Sequence, residues 1–262
     1  MSGPRPEAPV RRPALLQAWR TMTFLHWSYD PAVLRPLVPA DLELDRYDGL
    51  AWVTLVAFEM VDVRLPGLPP APRLSSFPEI NVRTYVRGPD RRDGIWFFSL
   101  DAASLPTVLG GRAAYGVPYH WAAMSVEAGD QLRYRSRRRD SGFRRRVTVD
   151  RRAHCDLDVA VGPRYADTEL TELDHFLTAR WRAYGTVAGR RVRVGVEHPP
   201  WPLYAVEVLH LDETLTTAAG LPAPTTAPRT HYSPGVEPVR LALPAAAASH
   251  RRRIIQALRP AT

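Results

Sequence analysis

The chain contains no lysine, whereas it contains 35 arginines. A side-chain primary amine is what forms a Schiff base with a carbonyl substrate, and arginine cannot replace it because its guanidinium stays protonated. Imine chemistry through a side chain is therefore excluded. A coding bias towards arginine, alanine and proline explains the composition more simply than selection for function does.

Cysteine and long apolar runs are also scarce. The one cysteine, Cys155, excludes an internal disulfide framework and is typical of a reducing compartment. No apolar run approaches the length that crosses a bilayer, and residues 1–13 lack the apolar segment of a secretory signal. We therefore expect a cytoplasmic protein without a membrane partner, in which residues 1–13 form a flexible leader.

Apolar residues make up 45% of the 262 residues, which is enough for a sizeable core. No break in composition separates two domains, so we predict a single domain over residues 14–244 and a basic tail over residues 245–262. The net charge of +8 permits an anionic partner. A homo-oligomer is compatible with all of these features.

Strand patterns dominate the chain. Apolar runs, period-two alternation and turn signals predict strands over residues 50–60, 79–86, 94–100, 119–126, 131–139, 143–150, 190–196 and 203–211. Helical patterns are few: a short helix after Asp30, one within residues 102–112, and one over residues 168–183 with Arg180 and Arg182 in its last turn. These elements predict a β-rich fold with a closed or strongly curved sheet.

The predicted strand over residues 79–86 carries four polar or aromatic side chains on one face and an aliphatic opposite face. The first set is Glu79, Asn81, Arg83 and Tyr85. The polar face meets water if the protein is a two-layer structure. If it instead lines a barrel interior, the carboxylate and the guanidinium would have to be paired, because neither tolerates burial alone. The sequence leaves both interpretations open.

Three further segments place histidines beside rigid turns. Gly116 and Pro118 precede Tyr119 and His120, a phenol and an imidazole that together suit acid–base chemistry. The alternative is a loop with a packed tyrosine and an exposed histidine. In the proline-rich segment 197–202 and in residues 230–235, the histidines are His198 and His231. Either could line the mouth of a pocket or lie on the surface.

The sequence indicates no metal and no nucleotide cofactor. The eight histidines are scattered without metal-binding spacing, and no glycine-rich phosphate loop or nucleophile elbow is present. Ten arginines fall within residues 133–152, and from Arg133 to Arg137 arginine occupies every second position of a predicted hairpin strand. A solvated cationic edge explains this pattern. Nucleic-acid binding is disfavoured because few aromatic residues are interleaved with the arginines.

Several of these motifs are familiar as a set. Ser-Phe-Pro-Glu-Ile-Asn-Val-Arg-Thr-Tyr-Val at residues 76–86, and the segments at residues 97–102, 118–121, 198–203 and 231–233, resemble the YqjF-like bacterial family (domain of unknown function 2071). The resemblance spans about residues 20–243. That family resembles a branch of the acetoacetate decarboxylase-like superfamily. The implied fold is mainly β (α+β): a cone-shaped antiparallel β-barrel with additional strands and a few peripheral helices, enclosing a pocket.

The resemblance also implies site residues. Decarboxylases of this superfamily use two lysines, an arginine and a glutamate. Arg20 stands where the arginine is expected and Glu79 where the glutamate is expected, whereas Tyr119 and His120 occupy the positions of the lysine pair. The resemblance therefore implies the scaffold, the carboxylate and the guanidinium without the nucleophile.

Three functional hypotheses follow. The first is a lyase-like enzyme that acts on a carbonyl or keto-acid compound by non-covalent acid–base catalysis, with Glu79 and His120 exchanging protons and Tyr119 stabilising an oxyanion. Its expected substrate-binding residues are Arg20, Asn81, Arg83, His198 and His231. The second is a non-catalytic pocket that holds an acidic metabolite. The third is an anion or nucleic-acid interaction through the arginines of residues 133–152.

Overall fold

The structure is a computed structural model, and it describes residues 8–139 and 153–247. Strands predominate, as predicted. They are β1 (Pro13–Tyr29), β2 (Glu43–Leu44), β3 (Ala51–Arg64), β4 (Phe77–Arg87), β5 (Asp93–Ala102), β6 (Tyr119–Ala128), β7 (Leu132–Arg138), β8 (His154–Arg164), β9 (Arg182–Val187), β10 (Arg190–Glu197), β11 (Tyr204–Glu213), β12 (Arg229–Ala242) and β13 (Ala245–Ala246). The predicted strand over residues 143–150 lies outside the described residues.

The strands form one sheet that closes into a ring. Neighbouring strands follow the order β5–β6–β7–β8–β11–β12–β1–β3–β4, and β4 pairs with β5 to complete the circuit. The pairings are antiparallel except for β5 with β6 and β5 with β9. From the β5–β9 pairing, the sheet continues through β10 to β12, and this path adds strands to one side of the ring. The mainly-β architecture with added strands thus agrees with the prediction.

In the described part of the chain, four short α-helices lie around the sheet: α1 (Pro31–Leu34), α2 (Leu105–Gly110), α3 (Glu172–Thr178) and α4 (Leu215–Ala218). A 3-10 turn, Arg35–Leu37, follows α1, and a π-turn, Gly111–Tyr115, follows α2. Asp30 caps α1 by accepting a hydrogen bond from the Ala32 amide, as its sequence predicted. Within the described residues, no helix has the length and apolar character needed to span a membrane.

The predicted helix over residues 168–183 was too long. A capping box of Thr171 and Asp174 starts α3, which ends at Thr178. Arg180 and Arg182 do not occupy a last helical turn: both are buried, and both donate hydrogen bonds to the carboxylate of Asp93. These two buried guanidinium groups are paired with carboxylates, and their ion pairs take the place of a last helical turn.

Two other segments differ from the sequence-based expectation. The predicted basic tail begins with β13, which pairs with β10, and residues 248–262 lie outside the described residues. In the predicted leader, the Val10 amide donates a hydrogen bond to the Glu197 carboxylate.

Both faces of β4 are buried, and alternate residues join different apolar clusters. Ile80 and Val82 belong to a cluster that extends to β1, β3, β7 and β8. On the other face, Glu79 is 2% exposed and Asn81 is 5% exposed. They lie beside a second cluster that includes Leu100 and Tyr119. The solvated-face interpretation is therefore wrong.

The turn before β6 depends on glycine. Gly116 adopts a left-handed φ of 64°, and a Cβ there would lie 2.1 Å from the Thr186 carbonyl oxygen. We expect Gly116→Ala to lower the free energy of unfolding by about 2–4 kcal/mol through strain and displacement of backbone. Urea unfolding measures this change. Gly110→Ala is the matched control, because that helical site is open and gains about 0.5–1 kcal/mol from the substitution. Equal effects of the two substitutions would contradict the prediction.

Candidate functional site

The strand register brings polar side chains from five strands to one face. One row across the sheet aligns His231, Phe24, Val56, Asn81, Leu100 and Tyr119 on β12, β1, β3, β4, β5 and β6. The adjacent row aligns Arg229, His26, Thr54 and Arg83. Residues paired across neighbouring strands point to the same side of a sheet. The shared side is called the polar face below.

Glu79 and Tyr119 form the central pair of the polar face. The Tyr119 hydroxyl donates a 2.8 Å hydrogen bond to Oε2 of Glu79. Local geometry holds the tyrosine in place: Arg112 Nε donates a 2.7 Å hydrogen bond to the Tyr119 carbonyl oxygen. The ring also packs against Gly111, where a Cβ would lie 2.5 Å from it. The turn predicted from Gly116 and Pro118 thus delivers the phenol to the carboxyl group.

Burial dominates the protonation of this pair. It raises the pKa of Glu79 from 4.5 to about 7, although hydrogen bonds from Tyr119 and Asn81 lower it and the Asp101 carboxylate raises it further. Burial likewise raises the pKa of Tyr119 well above its ordinary value, with help from the adjacent Glu79 charge. Glu79 can therefore gain or lose a proton near neutral pH, whereas Tyr119 remains a hydrogen-bond donor.

Two buried polar atoms on β4 lack a protein partner. They are Oδ1 of Asn81, an acceptor, and Nε of Arg83, a donor. The Arg83 guanidinium lies 5.7 Å from the centroid of the Phe24 ring. Burial lowers the pKa of Arg83, and the hydroxyl of Tyr85 partly offsets this effect. Buried polar atoms are almost always satisfied in native proteins, so this unpaired donor and acceptor are available to a ligand or an ordered water.

His198 lies within a cluster of indole rings. Its ring centroid is 4.5 Å from those of Trp181 and Trp201 and 5.4 Å from that of Trp19. Burial lowers the pKa of His198 to about 4; the hydrogen bond with the Pro199 carbonyl opposes the shift and the Arg83 charge reinforces it. His198 is therefore a neutral group near the polar face at neutral pH.

His231 belongs to a chain of hydrogen bonds that the sequence did not reveal. Its Nδ1 lies 3.1 Å from Nε2 of His26, and its Nε2 lies 2.8 Å from Oδ1 of Asp174. Burial lowers the pKa of His26 well below its ordinary value, as do the charges of His231 and Arg83. Burial alone would raise the pKa of Asp174, but hydrogen bonds from His231, Thr171 and Arg229 lower it.

Two predicted site residues lie apart from the polar face. Arg20 is 37% exposed at its side chain and pairs with Glu237 at 2.5 Å. His120 follows Tyr119 in β6 and pairs in register with Asp101, so it points to the opposite side of the sheet. There, burial lowers the pKa of His120 to about 3, together with the charges of Arg138 and Arg112. The structure thus brings Glu79, Asn81, Arg83, Tyr119, His198 and His231 to one side without Arg20 and His120.

The other candidate features have local partners. In the described part of the chain, no three His, Cys, Asp or Glu side chains are arranged to hold a metal ion. Three arginines of β7 face acidic residues: Arg135 pairs with Asp158, Arg137 with Asp156, and Arg138 with Asp101. Only the first strand of the predicted cationic hairpin is described, and these ion pairs offset much of its charge.

Two clefts among the described residues open on the surface away from Glu79. One, of about 290 Å³, is lined by residues that include Arg12, Trp181 and Arg193. The other, of about 640 Å³, is lined by residues that include Arg35 and Arg87. Neither is lined by Glu79. The first cleft shares Trp181 with the surroundings of His198.

Comparison with known proteins assigns the family. The model of the DUF2071 family, described as an uncharacterized conserved protein, matches residues 16–237. The chain belongs to this family. The uncharacterized protein YqjF of Bacillus subtilis (strain 168) is 36% identical over 220 residues, which are 83% of this chain and 86% of that protein. The resemblance identified from the motifs is confirmed.

Solved structures confirm the predicted superfamily fold. The enduracididine biosynthesis enzyme MppR, complexed with the condensation product of pyruvate and imidazole 4-carboxaldehyde, superposes with a TM-score of 0.61 at 14% identity, covering 93% of each chain. Acetoacetate decarboxylase from Legionella pneumophila gives 0.56 at 14% identity, covering 96% of this chain and 94% of that one. An acetoacetate decarboxylase-like enzyme from Sphingomonas wittichii RW1 gives 0.57 at 16%, covering 92% and 95%.

The raised pKa of Glu79 predicts a stability that depends on pH. Between its ordinary value of 4.5 and the folded value of about 7, the folded protein retains a proton that the unfolded chain has released. The free energy of unfolding therefore falls as pH rises through this range. We expect the free energy of unfolding of Glu79→Gln, measured relative to that of wild type, to rise by on the order of 3 kcal/mol between pH 5 and pH 8.

Urea unfolding at the two pH values measures this difference. Glu127→Gln, at an exposed position of β6, is the matched control and leaves the pH dependence as in wild type. Parallel curves for wild type and Glu79→Gln would contradict the buried-acid account of Glu79.

Proposed function

We propose that this protein binds a small carbonyl-containing anion, such as a 2-oxo acid, at the polar face and exchanges a proton with it through Glu79. The observation that carries the proposal is the buried Glu79–Tyr119 pair, in which the carboxyl group has a pKa of about 7. A general acid–base catalyst works best when its pKa lies near the operating pH. Perturbed carboxyl groups beside a binding surface are typical of catalytic sites.

The roles of the other residues follow from their chemistry. Arg83 supplies a buried guanidinium with a free donor, which suits a carboxylate. Asn81 supplies a free acceptor for a hydroxyl or amino group of the ligand. Tyr119 orients Glu79 and is positioned to donate to an oxyanion once Glu79 is protonated. His198 and His231 border this surface and complete the substrate-binding set.

The proposed reaction class is lyase-like chemistry that starts with proton abstraction next to a carbonyl group. Glu79, as the carboxylate, takes the proton from carbon, and the electron pair moves onto the carbonyl oxygen to form an enolate. A proton returned from Glu79 to carbon completes one exchange. The proposal uses neither Arg20 nor His120, because Arg20 pairs with Glu237 and His120 points away from Tyr119.

A second candidate is a binding protein that holds the same anion without turnover. The unpartnered atoms of Asn81 and Arg83 favour binding as such and say nothing of catalysis. An interaction through the arginines of residues 133–152 is less well supported, because three of the four arginines of β7 pair with Asp101, Asp156 and Asp158.

Deuterium exchange into the methyl group of pyruvate separates these candidates. In D₂O at pH 7, followed by proton NMR, we expect wild-type protein to accelerate the exchange. Glu79→Gln is expected to lose at least about 100-fold of that rate, and Arg83→Gln to raise KM about 10-fold or more through loss of a charged hydrogen bond. Glu127→Gln is the matched control. Saturable pyruvate binding without exchange supports the binding protein, and absence of both rejects the ligand class.

A borohydride experiment tests the absence of an imine. We expect wild-type protein incubated with pyruvate and sodium borohydride to keep its intact mass, because no lysine is available to form the adduct. Mass spectrometry reads the result, and a lysine-dependent acetoacetate decarboxylase is the positive control. A reduced pyruvate adduct on an internal peptide would contradict non-covalent catalysis.

A further inference from the structure

A chain of buried hydrogen bonds crosses the polar face beside Arg83. The chain has five links. The Tyr85 hydroxyl lies 2.7 Å from the Leu177 carbonyl oxygen and 2.6 Å from the Thr54 hydroxyl, which lies 2.8 Å from Nδ1 of His26. Nε2 of His26 lies 3.1 Å from Nδ1 of His231, and Nε2 of His231 lies 2.8 Å from Oδ1 of Asp174. All of these distances require a shared proton.

At one end of the chain, the Asp174 carboxylate only accepts hydrogen bonds. Oδ1 of Asp174 also accepts a 2.7 Å hydrogen bond from Nε of Arg229, and Oδ2 accepts from the amide and the hydroxyl of Thr171 at 2.8 Å and 2.7 Å. Four donors therefore surround this carboxylate, which leaves no place for a proton of its own. The proton in the last link belongs to His231.

The Leu177 end of the chain also accepts, because a carbonyl oxygen has no proton to give. The Tyr85 hydroxyl must therefore donate its single proton to that oxygen. Thr54 must then donate to Tyr85, and His26 must donate from Nδ1 to Thr54. The remaining nitrogen of a neutral His26 is an acceptor, so the proton in the link between the two rings belongs to Nδ1 of His231.

Both ring nitrogens of His231 are donors in this arrangement. Five links need five protons, whereas Tyr85, Thr54, neutral His26 and neutral His231 supply four. We propose that the His26–His231 pair stores one additional proton at neutral pH, held on His231 as an imidazolium that pairs with Asp174. The pair thereby adds a positive charge to the row of the polar face that carries Arg83 and Arg229.

The surroundings are consistent with this assignment. The charged or titratable groups near the two rings are Asp174 on α3, Arg229 on β12, Arg83 on β4 and Tyr165 after β8. The carboxylate touches His231, whereas His26 faces Arg83 across Thr54 in the strand register. Burial and the charges of Arg83 and Arg229 keep His26 neutral, so the added proton resides on His231, the ring nearer Asp174.

Long-range ¹⁵N NMR of the histidine ring nitrogens measures which nitrogens of His26 and His231 carry protons. The measurement uses the ligand-free protein, so its outcome does not depend on the proposed function. At pH 7 we expect both nitrogens of His231 to be protonated and His26 to carry its proton on Nδ1. Neutral His231 in wild type would overturn the proposal.

Two substitutions test how the chain fixes the proton. Tyr85→Phe removes two links and one proton, so three links remain for the three protons of Thr54, His26 and His231. Thr54→Val likewise leaves three links and three protons. Each variant is therefore expected to lose the added proton at pH 7 and to show a neutral His231.

Tyr184→Phe is the matched control. Its hydroxyl is also buried and contacts the Asp90 carboxylate and the Arg92 carbonyl, away from the histidines. This variant is expected to keep the imidazolium. If one of the two test variants fails to fold, the other decides. An imidazolium that persists in a folded Tyr85→Phe or Thr54→Val protein would overturn the claim that the chain stores the proton.

Discussion

The burial of both faces of β4 is the constraint on which the site depends. A strand with one wet face could leave Glu79, Asn81, Arg83 and Tyr85 to the solvent, but here each of them is enclosed or partly enclosed by neighbouring strands and α3. Each buried polar group then has a partner, a changed protonation state, or an atom that is left for a ligand or a water. The raised pKa of Glu79, the hydrogen bonds of Tyr85 and the unpaired atoms of Asn81 and Arg83 are three different outcomes of that single constraint.

Sequence patterns predicted seven of the described strands and missed others, among them β1, β8, β9 and β12. β3 to β7, β10 and β11 follow apolar runs or simple alternation, and each lies close to its predicted bounds. β1 was missed because register shifts after Gln17 and Arg20 interrupt its alternation. β12 was missed because it contains Pro234, Gly235 and Pro238, residues that are typical of turns.

The candidate site was predictable to the extent that it is local. The alternation of β4 placed Glu79, Asn81 and Arg83 on one face, and the turn at Gly116 together with the family resemblance pointed to Tyr119. The same alternation, applied to β6, separates His120 from Tyr119. His26 and Asp174 were not predicted, because they contact His231 across 205 and 57 residues of chain. Nothing in the spacing of the sequence indicates contacts of that length.

The indole rings around His198 give this protein an optical signal of its own. Trp19, Trp181 and Trp201 lie within 6 Å of that imidazole, centroid to centroid. Trp181 also lines a surface cleft, so a molecule bound there lies beside this cluster. Because His198 is uncharged at neutral pH, emission from the cluster is free of quenching by an imidazolium at that position. Intrinsic fluorescence can thus follow occupancy of this region without a label.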